Sequence, residues 1–183
     1  MQQRYTTTAI VFHWLVALMI IGSFTMGLVM TDMSLSPTKL KYYSWHKWAG
    51  VTILCLATLR LLWRLTHRAP DYPDSMPAWQ KSSATILHAL LYVLMFAVPL
   101  SGYFYTLSAG YPVVYFGLFE LPVLIEKNEA VKPVLQAVHF WLNMTLAGAV
   151  GIHVAAALKH QFIDRDGVLK RMLPKRSTSP ENP

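Results

Sequence analysis

The segment from His139 to His153, HFWLNMTLAGAVGIH, begins and ends with an ionisable ring and is almost wholly apolar between them. Imidazole is the commonest metal ligand and carries a proton near neutral pH. On an α-helix fourteen residues rise about 21 Å and complete almost four turns, so the two rings project from one face, only about 40° apart. His13, His46 and His88 also lie in apolar surroundings. A lone histidine in such a place snorkels to an interface or bonds a neighbouring helix; several at matched depths can do more.

The elements that must position these rings follow from hydropathy. Of 183 residues, 54% are hydrophobic and only 14% charged, where a soluble domain carries about a quarter charged residues. Apolar runs at 10 to 30, 47 to 65, 84 to 106 and 134 to 158 each approach the roughly 20 residues that a helix needs to cross the hydrocarbon. They predict an all-α membrane protein, a four-helix transmembrane bundle forming one domain over 1 to 183. The first run is too long for a signal-peptide core and no A-x-A site follows it, so it is expected to remain in the mature protein. A shorter stretch, YPVVYFGLFELPVLI (111 to 125), is interrupted by Pro112, Gly117 and Pro122. It is expected to lie at the interface within a periplasmic cap, about 107 to 133.

Orientation follows from Lys and Arg. One side holds Arg4, Arg64, Arg68 and Lys81, with Arg60 just inside, and the tail residues Lys159, Arg165, Lys170, Arg171, Lys175 and Arg176; the other holds only Lys39, Lys41, Lys47, Lys127 and Lys132. The positive-inside rule puts both termini in the cytoplasm. The net charge of +7 then meets anionic membrane lipid, and no folded basic domain remains for nucleic acid. The tail, about 159 to 183, ends in a polar Pro- and Ser-rich stretch on which no structure is expected.

In that topology helix one runs outward and carries His13 near its cytoplasmic end, and helix two returns with His46 at its outer end. Helix four enters from outside, which matches His139 in depth with His46, and His153 with His13. Each pair can clamp a flat iron porphyrin between neutral imidazoles, the ligation of a low-spin electron-transfer haem with no open site. Cys55 is the only cysteine, which excludes an internal disulfide and any C-x-x-C-H attachment, so such a haem is held without thioether bonds. Small residues, Gly50 near His46 and Ala147, Gly148, Ala149 and Gly151 between the helix-four rings, either admit the macrocycle or pack helices closely. Transport of a dication calls for acids at membrane depth, whereas only Asp32, at the end of helix one, comes near a span.

The motifs IVFHWLV, WHKWAG, the His139 to His153 spacing and HVAAALKHQF resemble the prokaryotic cytochrome b561 family over nearly the whole chain. The resemblance implies a bacterial inner-membrane, multi-pass protein with two non-covalent b haems, His13 and His153 holding the cytoplasmic-side one and His46 and His139 the periplasmic-side one. It also implies an oxidoreductase that takes electrons from superoxide, or from a periplasmic redox protein, and passes them to ubiquinone. The architecture is similar to the haem-bearing membrane anchors of hydrogenase- and formate dehydrogenase-like complexes, the alternative function.

His88 sits at the same cytoplasmic level as His13 and His153, so three imidazoles compete for two axial positions. The family pattern puts ligands on helices one, two and four, which leaves His88 as a packed histidine or a quinone neighbour. Lys159 and His160 lie one to two turns beyond His153, where a quinone carbonyl could accept a hydrogen bond and an imidazole could pass a proton, or where a basic helix end faces lipid phosphate. Arg60 and Arg64 stand one turn apart and suit haem propionates, with snorkelling the other explanation. Trp45, Trp48 and Trp141 are expected to form an aromatic belt. Lys39, Lys41, Lys47 and Lys132 could steer a small anion to the outer haem, against the field of Glu120, Glu126 and Glu129.

Overall fold

The computed structural model describes residues 4–174; the end of the tail, with Lys175 and Arg176, lies outside the described residues. Four long helices run α1 Thr7–Asp32, α2 Pro37–Thr66, α3 Ala78–Ser108 and α4 Lys132–Lys159. All four are long and apolar enough to cross a membrane. No more than 17% of the best window of any span is buried, as expected where lipid rather than protein covers the apolar faces.

α1 and α2 each start at a side chain that accepts from a free N–H group of the first turn. Thr6 accepts from the Ala9 N–H at 3.3 Å and Ser36 from Lys39 N–H at 3.2 Å, with Pro37 at the first helical position, both standard helix starts. Asn128 Oδ1 gathers the N–H groups of Ala130 and Val131 just ahead of α4. The helices outrun the apolar segments: α2 begins ten residues before position 47. Its 30 residues span about 45 Å against a hydrocarbon core of about 30 Å, so the polar first turns of α2 stand clear of the lipid interior.

α1 packs on α2, α2 on α3, and α3 on α4. Two apolar clusters join them. Val16, Ala57 and Met95 form one, and Leu94, Leu146 and Ala149 the other, with Ile20 touching both. Every one of these positions lies, along its own helix, between the levels of the two histidine pairs. A packed apolar layer therefore separates the two ends of the bundle.

At one end the loop from α3 to α4 folds over the bundle. It carries a two-residue antiparallel hairpin, β1 Val114–Tyr115 with β2 Phe119–Glu120, turned by Phe116 and Gly117, both at positive φ. Trp48 donates to the Val114 carbonyl at 2.7 Å and packs on Phe116, the Thr52 hydroxyl meets the Tyr115 hydroxyl at 2.8 Å, and Tyr103 donates to the Pro122 carbonyl. The interrupted stretch is thus a cap anchored on α2 and α3, and Trp48 holds the cap rather than standing free in an aromatic belt.

At the other end, where α1 begins, α4 continues into a π-helical turn His160–Asp164 and a 3-10 turn Leu169–Met172. This segment returns beneath the bundle: Trp14 donates to the Met172 carbonyl at 2.9 Å, Arg4 to the Leu173 carbonyl, and Arg171 to the Asp71 carbonyl at 2.5 Å. The first part of the tail is therefore built into the fold.

Candidate functional site

At the capped end, the His46 and His139 rings face each other with centroids 6.3 Å apart. Each is held from the helix beside it by the same pair of groups. His46 Nδ1 lies 3.1 Å from the Ser23 carbonyl and 3.2 Å from its hydroxyl. His139 Nδ1 lies 3.1 Å from the Val98 carbonyl and 2.9 Å from the Ser101 hydroxyl. A carbonyl only accepts, so Nδ1 carries the proton in both rings and Nε2 keeps its lone pair, the tautomer a metal requires. Ser23 and Ser101 are buried. Asn143 reaches back to within 3.2 Å of His139 Nε2.

Two glycines let these rings sit where they do. A Cβ on Gly102 would come within 2.8 Å of His139 Cε1, and one on Gly27 within 3.4 Å of His46 Cε1. By contrast a Cβ at Gly50, Gly148 or Gly151 meets nothing within 4 Å, while Ala149 is packed into the apolar layer. The open space beside α2 and α4 lies at the first three; Ala149 serves close packing alone.

At the uncapped end, His13 and His153 have ring centroids 6.2 Å apart, with His88 nearer to His153 at 5.3 Å. His13 Nδ1 is buried with no hydrogen-bond partner among the described residues. Two imidazoles sharing a first-row metal at about 2 Å each, with a ring radius on either side, have centroids about 6 Å apart. Both pairs meet that spacing, the rings at the capped end have the right tautomer, and His13 has a buried nitrogen with bonding capacity left over, so the residues present fit two haem groups.

Arg60 lies over the Tyr92 ring at 5.5 Å and, with Arg64, Arg68, Trp63 and Tyr5, lines a small pocket below His13. Among the described residues no acid pairs with these three arginines. Trp63 stacks on His67 at 3.7 Å and donates to the Thr6 hydroxyl, which closes the pocket toward α1. His88 makes no hydrogen bond or ring contact with His160 among the described residues, so it belongs to the His13 and His153 level.

Lys159 and His160 stand in the π-helical turn region with two acids. Lys159 Nζ donates to Asp164 at 2.5 and 2.8 Å, and His160 Nδ1 lies 2.6 Å from Asp166 and 3.2 Å from Asp164. The ligand atoms of His160, Asp164 and Asp166 all lie within 4.8 Å of one another, but the Lys159 ammonium already occupies Asp164, so the group is a salt-bridged turn before it is a cation site.

Of the four lysines at the capped end, Lys39 and Lys132 are tied to neighbouring groups. Lys39 donates to the Met33 carbonyl at 2.6 Å and lies over Tyr43, Lys41 is exposed, and Lys47 is half-buried. Lys132 pairs with Glu129, which also pairs with Lys127. The two ammonium groups, Lys127 first, hold the exposed Glu129 carboxyl below its usual range. Glu129 thus cancels part of the positive field that the lysines supply.

Ser23, Ser101, Gly27, Gly102 and Asn143 escaped the sequence reading. Their signal is small or polar residues inside apolar runs, as in IGSFTMG and PLSGY. Close helix packing produces the same pattern, and only proximity to a histidine distinguishes the two.

The sequence profile of prokaryotic cytochrome b561 matches residues 4–175. The chain is 34% identical to cytochrome b561 homolog 2 of Escherichia coli K12 over 183 aligned positions, which cover 96% of this chain and 94% of that protein. It is 29% identical to cytochrome b561 homolog 1 of the same organism, covering 94% and 98%. It is 28% identical to a Yersinia pestis protein named probable superoxide oxidase CybB, covering 96% and 99%. The chain belongs to the prokaryotic cytochrome b561 family, membrane electron-transfer proteins that bind haem b, generally two.

Proposed function

We propose that the chain is a bacterial inner-membrane di-haem cytochrome that takes electrons from superoxide at the periplasmic, capped end and delivers them to ubiquinone at the cytoplasmic end. The observation that carries it is the pair of facing imidazoles at each of two levels, 6.3 Å apart at one and 6.2 Å at the other. His46 and His139 would hold one haem, His13 and His153 the other. At 5.3 Å from His153, His88 is too close for a metal to lie between the rings, which favours His13 as the second inner ligand. Held by these imidazoles, a haem would supply one-electron transfer.

The chain's own residues do the rest. Ser23 and the Val98 carbonyl with Ser101 orient the outer imidazoles, and the glycines beside them leave room. Arg60 and Arg64 supply positive charge at the depth where inner propionates would lie. Lys41, Lys47 and Lys132, with Lys39 behind them, raise the local concentration of a small anion at the capped end. Lys159 and His160 supply the hydrogen bond and the proton that quinone reduction needs. The Yersinia pestis relative named probable superoxide oxidase supports the choice of donor.

The test is haem quantitation on the purified chain followed by stopped-flow mixing with superoxide. Two haems per chain, reduced by superoxide and reoxidised by a soluble ubiquinone, are expected. Colourless, folded protein from haem-replete cells would overturn the proposal, and two haems unreactive to superoxide would overturn the donor.

A further inference from the structure

The turn after α4 is built around His160. The π-helical turn His160–Asp164 widens the helix at its last carbonyls, a feature frequent at functional sites. Arg165 and Gly167 both take positive φ, 53° and 75°, and reverse the chain so that Asp166 comes back against the ring it follows by six residues. His160 and Asp166 side chains are only 12% and 9% exposed.

The two acids near His160 are not equivalent. Asp164 is held by Lys159 at 2.5 Å and lies 3.2 Å from Nδ1. Asp166 reaches Nδ1 at 2.6 Å through Oδ2, while its Oδ1 accepts the Val168 N–H at 3.1 Å. Its carboxylate is thus fixed by backbone on one side and fixes the imidazole on the other. A carboxylate that accepts from Nδ1–H sets the tautomer and orientation of a ring and leaves Nε2 to exchange protons.

We propose that Asp166 is a positioning residue for quinone reduction: it clamps His160 through Nδ1 so that Nε2 delivers the protons that ubiquinone takes up. The proposal rests on the reading that ubiquinone is reduced beside His160. Reducing one quinone to quinol consumes two electrons and two protons, the electrons coming from two superoxide ions that each leave as dioxygen. The donor is the doubly protonated ring: as a quinone oxygen forms its O–H bond, the imidazolium of His160 loses its Nε2 proton and becomes the neutral Nδ1–H imidazole. The ring keeps Nδ1–H on Asp166, Nε2 takes a replacement proton from cytoplasmic water, and the second oxygen is protonated by the same route.

The experiment uses the full haem-loaded chain with a soluble short-tail ubiquinone, comparing Asp166→Ala, Asp166→Asn, His160→Asn and the double variant Asp166→Ala with His160→Asn. Asp166→Ala is expected to lower kcat for quinone reduction about 10- to 100-fold, the usual effect of losing a group that orients a functional imidazole. KM for quinone, haem content and the rate of superoxide-driven haem reduction should stay within about twofold. Asp166→Asn should recover much of the rate, because its amide oxygen still accepts from Nδ1–H, and the double variant should be no slower than His160→Asn alone. If Asp166→Ala loses haem or fails to fold, Asp166→Asn decides: a normal melting temperature with kcat as low as that of His160→Asn would overturn tautomer clamping by hydrogen bonding. A slow His160→Asn beside a normal Asp166→Ala, or additive losses in the double variant, would overturn the positioning role while leaving the quinone reading intact. A normal His160→Asn would overturn the quinone reading itself.

Discussion

Gly102 stands against His139 so closely that a methyl group on its Cα would come within 2.8 Å of Cε1. Ser101, the residue before it, holds the same ring at Nδ1, its hydroxyl 2.9 Å away. Two consecutive residues of α3 thus supply the space and the grip for a ring on α4. Pro99 lies just upstream within the helix and removes one N–H from the ladder.

Gly102→Ala is therefore expected to push His139 out of line and drop haem content from two toward one per chain, measured by pyridine haemochrome. Gly27→Ala, where the approach is 3.4 Å, should show a smaller loss. Gly22→Ala, with nothing within 4 Å, should retain both haems.

His46→Ala and His139→Ala should each remove one haem, and His13→Ala and His153→Ala the other. His88→Ala should retain two. Reduced-minus-oxidised spectra would show it, and loss of a haem in the His88 variant with retention in His13→Ala would reverse the inner assignment.

Ser101→Ala and Ser23→Ala remove the hydroxyl but leave the carbonyl that orients Nδ1. Both variants should keep haem as isolated, yet lose it about 10-fold faster to an apoglobin acceptor than wild type, the low end of the range for groups that support a ligand. Unchanged loss rates would show that the carbonyls suffice.

Glu129→Gln frees the charge of Lys127 and Lys132, so it should raise the rate of reduction by superoxide several-fold at low salt, a gain that vanishes by about 0.5 M as screening shortens the field. Lys132→Ala should move the rate the other way. Because its two lysines hold the Glu129 carboxyl below the ordinary carboxylate range, it stays ionised throughout neutral pH. Its contribution to the field should therefore be constant from pH 6 to about pH 8 and fade only as the medium is acidified through that lowered value.

Arg60→Gln removes a positive charge near the His13 and His153 level. A cation stabilises the reduced form of a nearby redox centre, so the midpoint potential of the inner haem should fall by on the order of tens of millivolts, with the outer one unchanged in a redox titration.

The four spans and the matched depths of the histidines were legible because hydropathy is a property of contiguous residues and helix rise is regular. The rings at 139 and 153, fourteen residues apart, do meet partners at two levels. Less was legible in the cap, where Trp48 bonds Val114 across 66 positions, and in the lysines, whose charges are reduced by Glu129.

By itself the sequence determined what the solvent around the chain must be and how high along each helix the imidazoles stand, because backbone burial in lipid allows little but a spanning helix. Tertiary structure alone decided which nitrogen of His46 and His139 is protonated, which glycines make room, and which acid lies against His160. Those depend on atoms of neighbouring helices or turns meeting within about 3 Å, the range over which hydrogen bonds form, and no periodicity along one strand of residues encodes such meetings.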